Sequence, residues 1–299
     1  MPLAAFPKCY LPAMVNDRTM SAEDWIKLAA RELAVDGLEF YWGFTPLDPV
    51  ARKQLRALMA GYGLQMPMMC YSPDFIQTDP RKLAAEIERQ REVIVGTAEL
   101  GGRYCRVLSG QRNPEVARDD GLEMAAQAIM DLVPFAARHG ICLILENHYK
   151  DGFWQHPEFA QKQEDFIALL GMIPRSVNFG VNYDPSNALI AGDDPVALLE
   201  AVKDRVVTMH ASDRYFEGGT AADLRKLDRD PRAGYAPLLK HGVIGRGCID
   251  YPKIFSILQS VGFKGWISIE DGDDPAVGMD HLRESVGFLR RMMAGHGMA

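Results

Sequence analysis

The sequence predicts an α/β chain folded as a (β/α)8 barrel with an insertion between strand 7 and helix 7. Three observations predict it: short apolar runs alternate with longer amphipathic stretches, the runs recur at near-regular intervals, and the chain has a suitable length. At 299 residues it slightly exceeds the roughly 250 that such a barrel takes. Candidate strands begin near Ala5, Gly37, Gln65, Tyr104, Cys142, Asn178, Val206 and Gly265, at spacings of 32, 28, 39, 38, 36, 28 and 59 residues. No low-complexity segment or Gly/Ser/Pro linker divides the chain, so residues 1–299 read as a single domain. A doubly wound open sheet is the alternative.

The helices carry their own punctuation. Ser21 with Asp24 caps a helix running through Leu33. Asp79-Pro80 opens one that runs to Leu100, with Leu83, Ile87, Ile94 and Leu100 as its apolar stripe. Asn113-Pro114 opens another that ends near His139-Gly140. The runs Ile141-Cys142-Leu143-Ile144-Leu145 and Val206-Val207-Thr208-Met209 are nearly continuous apolar segments, as strands covered on both faces should be. The last interval is anomalous, because one βα unit needs about 30 to 35 residues and leaves about 25 over, at 214–242. That insertion leaves the C-terminal end of strand 7, the face on which barrel active sites form, so it reads as a lid or substrate-contacting loop. A peripheral elaboration is the other reading.

Lys plus Arg number 33 against 40 Asp plus Glu, a net charge of -7. That is the wrong sign for a phosphate-backbone binder, so no nucleic-acid partner is expected. Five scattered cysteines without a C-x-x-C pair suggest neither a disulfide framework nor a structural zinc site, which fits a cytoplasmic location. Pro2, Pro7 and Pro12 interrupt the N-terminal region, and no run of about 18 apolar residues occurs, so neither secretion nor a membrane partner is expected. A homo-oligomer is left open.

Four strands end in a metal-ligand residue type: Glu146, Asp184, His210 and Glu270. In a barrel the C-terminal strand ends converge, so residues 38, 26 and 60 positions apart meet around one point. Clustered carboxylates repel one another, and a divalent cation relieves that repulsion. Two Glu, one Asp and one His make a mostly oxygen site that suits one Mn2+, Mg2+ or Co2+ ion better than a sulfur-rich zinc site; Mn2+ is the first expectation and Zn2+ a further alternative.

The segments LENHY (145–149), NYDPSN (182–187), MHASDR (209–214), GRGCIDYPKI (245–254) and ISIED (267–271), preceded by DGLEF (36–40) and RVLSG (106–110), resemble the successive motifs of the xylose isomerase-like TIM-barrel superfamily. Within it the chain is similar to sugar phosphate isomerases/epimerases such as ketose 3-epimerases and inosose dehydratases. The resemblance implies that Glu146, Asp184, His210 and Glu270 bind one divalent metal, and that Glu146 and Glu270 double as catalytic acid/base groups on opposite faces of a sugar. Proton removal beside a carbonyl needs a base in reach and a cation for the enediolate oxygen, which agrees. Asp213 corresponds to the family's His-x-x-Asp pattern, where it orients a ligand or substrate, or caps the following loop. Asn187 stands where many members have His; it can hydrogen-bond a hydroxyl but cannot shuttle a proton. The zinc endonuclease branch depends on that His among others, so its absence and the acidic balance argue against DNA repair. Arg246 replaces a common acidic residue and either reaches the substrate or pairs with a surface carboxylate.

Glu39 is a candidate for sugar hydroxyls, with Tyr41 and Trp42 shielding the site; plain packing at the rim is the other reading. His148 is a candidate substrate contact, while Trp154 and His156 belong to the same loop. Lys150 and Arg214 suit a phosphate or a carbonyl, although no Gly-rich phosphate cradle is present. The expected activity is that of a metal-dependent isomerase/epimerase of a ketose or keto-polyol, working through an enediolate on a small-molecule carbohydrate. The alternative is a metal-dependent dehydratase/lyase that eliminates a β-hydroxyl or β-glycosidic group from a keto sugar or inosose; both begin with the same proton removal.

Overall fold

A computed structural model of the chain describes residues 1–224, 226–272 and 274–298. In chain order the barrel strands are β1 (Leu3–Ala5), β2 in two pieces (Gly37–Leu38 and Phe40–Tyr41), β3 (Met68–Cys70), β4 (Tyr104–Val107), β5 (Cys142–Glu146), β6 (Phe179–Tyr183), β7 (Val206–Ala211) and β8 (Trp266–Ile269). Every neighbouring pair is parallel, and β8 lies between β7 and β1. The first piece of β2 pairs with β1, Ala4 opposite Gly37, and the second with β3, Phe40 opposite Met69. The ring therefore closes through β2, with Glu39 between its two pieces. The expected eight strands are present, although β3 starts at Met68, not Gln65. Gln65 makes a single bridge to Gly37, and Pro67, which has no N–H to offer a ladder, separates it from the strand.

The helices are α1 (Ala22–Glu32), α2 (Pro49–Gly61), α3 (Pro80–Glu99), α4 (Arg118–Arg138), α5 (Gln163–Met172), α6 (Pro185–Ala191), α7 (Pro195–Val202), α8 (Ala221–Leu224), α9 (Tyr251–Ser260) and α10 (Gly278–Gly295). Ser21 and Asp24 form a reciprocal capping box at α1, and Asp79 caps α3 by accepting from Arg81 N at 2.9 Å, as expected. The start of α4 differs: Asn113 Oδ1 accepts from Glu115 N at 3.0 Å and its carbonyl from Val116 N, making a separate turn, and the helix begins only at Arg118.

Alternation along the strands separates two apolar regions. Outward residues such as Leu143, Leu145, Met209 and Ile267 join the large core beneath the helices. Inside the barrel, Met68, Cys142 and Ile144 form a small separate cluster with Tyr104. Two residues further along the same strand faces stand Cys70, Arg106 and Glu146, all buried. The barrel interior thus changes from an apolar floor to a charged upper layer at the C-terminal strand ends.

The expected insertion leaves that upper face between β7 and α9. It contains α8 and a hairpin of Asp213–Phe216 with Leu239–Gly242, in which His241 lies opposite Arg214. It folds over the loop that follows β5, where the Tyr149 and Tyr235 rings meet edge to face at 5.8 Å and Lys150 Nζ donates to the Pro231 carbonyl, and over the end of α6, where Arg229 donates to the Ala191 carbonyl at 3.1 Å. Among the described residues, no helix is long and apolar enough to cross a membrane.

Candidate metal centre

Consecutive strands β5 to β8 each deliver one side chain to the upper face. Glu146 ends β5, and His210 lies one residue before the end of β7. Glu270 directly follows β8. Asp184 follows β6 and caps α6, its Oδ1 accepting from Ser186 N at 2.7 Å, Asn187 N at 3.1 Å and Ser212 Oγ at 2.7 Å. One ligand atom from each of the four lies within 4.8 Å of all the others. Metal–oxygen and metal–nitrogen bonds of about 2.0–2.2 Å place opposed ligands about 4 Å apart, so this spacing fits the coordination sphere of one small divalent ion.

The charges support the same reading. Burial, then the Glu270 and Glu146 carboxylates, push Asp184 up to about 6. Burial works against ionised Glu270, but Lys8 Nζ, 3.1 Å from Oε1, and His210 outweigh it and hold the group well below the ordinary carboxylate range. Burial likewise opposes ionised Glu146, and His210 with the Arg106 guanidinium, 2.9 Å from Oε2, overcomes it. Three carboxylates around one point, Glu146 and Asp184 buried and Glu270 partly exposed, form a cage that a divalent cation would relieve of its repulsion. The cluster is a divalent-metal site in its donor chemistry.

The two ring nitrogens of His210 have different neighbours. Nδ1 faces Glu270 Oε2 at 2.9 Å and Glu146 Oε1 at 3.2 Å, while Nε2 lies 2.9 Å from Glu39 Oε1. A proton on Nε2, donated to Glu39, leaves the Nδ1 lone pair for the metal. Cys70 Sγ also donates to Glu39 Oε1, at 2.6 Å, and burial pushes this thiol up, so it stays protonated. Glu39, Cys70 and His210 themselves form a second cluster of ligand types, in which Cys70 Sγ and His210 Nε2 both meet the same oxygen, Glu39 Oε1. The structure places Glu39, a candidate for sugar hydroxyls, fully buried inside the barrel with Oε1 against His210 Nε2 and Cys70 Sγ.

Other expectations divide similarly. Trp42 does not shield the centre; its ring packs under Arg52 at 5.9 Å and against Gly96 of α3, while Tyr41, one residue earlier, lines the cavity. Asn187 Nδ2 donates to Glu146 Oε1 at 3.0 Å, so it holds a ligand carboxylate. Asp213 caps its loop, accepting from the backbone N–H of Arg214, Gly245, Gly247 and Ile249 at 2.8–3.1 Å. Arg246 is not brought to the centre: its exposed side chain pairs with Glu284 of α10. Arg214 is buried between Tyr149 and Tyr235. Trp154 packs edge to face on His148, with ring centroids 6.4 Å apart.

A cavity of about 230 Å3 opens above the centre, lined by Lys8, Tyr41, Arg106, His148, Tyr149 and Glu270. This is below the roughly 300–1,000 Å3 of pockets for drug-sized ligands, a scale for a small metabolite. A larger hollow of about 590 Å3, lined by Met14, Phe44 and Leu55, carries no cluster of ligand types among the described residues. Burial, then Arg106, hold His148 down to about 4 against the pull of Glu146, so its imidazole is neutral at pH 7. Behind it Glu158 Oε2 lies 3.9 Å from Nδ1. Burial pushes Glu158 up to about 8, although Ser109 N and Oγ both donate to its Oε1. Sequence reasoning missed Lys8, Cys70, Glu158 and the role of Arg106. Only Arg106 had a legible signal, as a charge on the same strand face as the apolar floor.

A family described as xylose isomerase-like TIM barrel matches residues 28–292. The chain is 23% identical over 178 residues to an inosose dehydratase of Clostridium beijerinckii, a stretch covering 56% of this chain and 55% of that protein. It thus spans about half the length of that curated relative. Among solved structures, a D-tagatose 3-epimerase-like protein superposes with a TM-score of 0.76 at 19% identity, covering 99% of this chain and 98% of the other. A probable 3-DHS dehydratase from Bacillus anthracis superposes with a TM-score of 0.73 at 15% identity, covering 97% and 99%. At these identities the structural likeness speaks to the fold.

Proposed function

The chain belongs to the xylose isomerase-like TIM-barrel family, and on that premise we propose that it is a divalent-metal-dependent isomerase or epimerase of a ketose or keto-polyol, with Glu146 and Glu270 as its catalytic pair. The observation that carries the reading is that these two carboxylates belong to the ligand cluster and are each fixed by a separate cation, Arg106 at 2.9 Å and Lys8 at 3.1 Å. Glu146, Asp184, His210 and Glu270 would hold the ion, with Mn2+ proposed for its oxygen-rich donor set. When bound, the ion supplies a Lewis acid for the oxygen that gains charge.

The chain's own groups do the rest. Arg106 and Lys8 favour the ionised forms of Glu146 and Glu270, so either can take the proton from the carbon beside the carbonyl. In an isomerisation the carboxyl protonated in that step gives the same proton to the neighbouring carbon; in an epimerisation the opposite carboxyl, which enters that turnover carrying a proton from solvent, gives it to the other face, and solvent exchange resets the pair. Asn187 holds Glu146 in one orientation, and Tyr41 and Tyr149 narrow the cavity and limit water. His148 and Arg214 contact the substrate, which is a small carbohydrate. The scattered cysteines support a cytoplasmic setting.

Incubation of the Mn2+-loaded enzyme in deuterated water with a panel of ketoses and inososes is expected to label the carbon beside the carbonyl. Glu146→Gln and Glu270→Gln are expected to abolish that exchange. No exchange with any member of the panel counts against the proposal. The alternative of a dehydratase or lyase begins with the same proton removal, after which the carboxyl protonated in that step gives its proton to the departing β-hydroxyl, which leaves as water. Formation of an absorbing enone, or release of the leaving group, identifies that reaction.

A further inference from the structure

We propose that the substrate carries a carboxylate, seated on the Arg214 guanidinium beside the metal centre. The inference rests on the reading above that this cavity takes a keto sugar, and it narrows the substrate to a sugar acid. Arg214 is 1% exposed, yet its Nε and Nη1 are buried without any hydrogen-bond partner. Among the described residues, no carboxylate pairs with it. The other buried arginines are matched: Arg52 reaches Glu99 and two carbonyls, and Arg106 reaches Glu146, Ser72 and the Tyr71 carbonyl. Leaving one buried charge without an oxyanion is costly unless a ligand provides it.

The group is nonetheless held in place. Its Cζ lies 4.7 Å from the Tyr235 ring centroid and 6.0 Å from that of Tyr149. Aromatic faces hold a guanidinium by its plane and provide no acceptor for its N–H edges, which remain for a planar oxyanion. Asp213 accepts from Arg214 N, and a Cβ at Gly247 would lie 2.4 Å from the Arg214 carbonyl, so the backbone here is tightly fixed. Tyr149 also lines the cavity with Lys8 and Glu270, which puts the guanidinium one ring away from the reacting groups. Burial, then the charges of Lys8 and Arg214, hold His241, opposite Arg214 in the hairpin, well below its ordinary range, against the pull of Glu270.

The test is calorimetric titration of the Mn2+-loaded full chain with D-gluconate, with D-sorbitol as a neutral probe of equal length, and with inorganic phosphate. The wild type is expected to bind gluconate at least about tenfold tighter than sorbitol, the low end for a charge-assisted hydrogen bond. Arg214→Met is expected to remove that preference without changing Mn2+ content and, by deleting an unmatched charge, to melt no lower than wild type. Arg214→Lys, which keeps the charge and loses the fork, is expected to retain part of the preference and serves if the Met variant does not fold. Equal binding of the two polyols, no binding of any probe, or a preference that survives Arg214→Met overturns the proposal; the last result places the carboxylate on the metal. Phosphate binding tighter than gluconate, and lost in Arg214→Met, overturns the carboxylate assignment in favour of a phosphate ester. Failure of the isomerase reading is seen separately, as absent deuterium exchange with the gluconate preference intact.

Discussion

Replacing Glu39 by Gln tests whether the second sphere sets the metal affinity. In the wild type Glu39 Oε1 accepts from His210 Nε2 at 2.9 Å and from Cys70 Sγ at 2.6 Å. A hydrogen bond to a charged group is worth about 1.5–3 kcal/mol and a neutral one about 0.5–1.5. Losing the charge but keeping the acceptor therefore costs about 1–1.5 kcal/mol, or about tenfold in affinity. This sits at the lower end of the roughly 10- to 100-fold typical of second-sphere changes. Competition for Mn2+ against a fluorescent chelator reads the effect directly, with Glu146→Gln as the reference for loss of a ligand. Unchanged Mn2+ affinity in Glu39→Gln, alongside a clear loss in Glu146→Gln, would refute the assignment of Glu39 as the partner that presents Nδ1.

Two further changes probe the surroundings of the centre. Glu158 sits at about 8 in the folded chain against an ordinary 4.5, so between those values the folded state keeps a proton that the unfolded state releases. Stability should fall as pH rises through that window, by up to about 1.4 kcal/mol per unit, and level off above it. Glu158→Gln should remove this slope, melting close to wild type near the bottom of the window and above it near the top; parallel melting profiles would contradict the buried, neutral carboxyl. Gly247→Ala places a Cβ 2.1 Å from Asp213 Oδ1 and 2.4 Å from the Arg214 carbonyl. It should lose about 1–3 kcal/mol in denaturant unfolding, and wild-type stability would mean that the loop relaxes freely.

The ligands were legible because strand ends can be read in one dimension: a Glu, Asp or His closing an apolar run is a local signal. Partners across the barrel are not local. Glu39 meets His210 over a separation of 171 residues, and nothing around Glu39 distinguishes an imidazole partner from a sugar hydroxyl. Trp42 and Tyr41 are neighbours, yet the chain leaves β2 for a short turn at Trp42–Phe44 that carries the tryptophan toward α3. Lys8 stands in a short helical turn after β1 with no motif around it. Arg246 reads either as a substrate contact or as the partner of a surface carboxylate, and the carboxylate it meets, Glu284, stands on α10, which no motif around Arg246 announces.

The site also joins two arcs of the barrel. All four ligands come from β5 to β8, the last four strands of the ring, and that arc alone contains the donors for an ion. Cys70 and Glu39 come from the first half, and Glu39 lies at the seam where one piece of β2 joins β1 and the other joins β3. Closing the ring and fixing the His210 tautomer are then one event. The orientation of a ligand on β7 is thus tied to how β2 bridges β1 and β3.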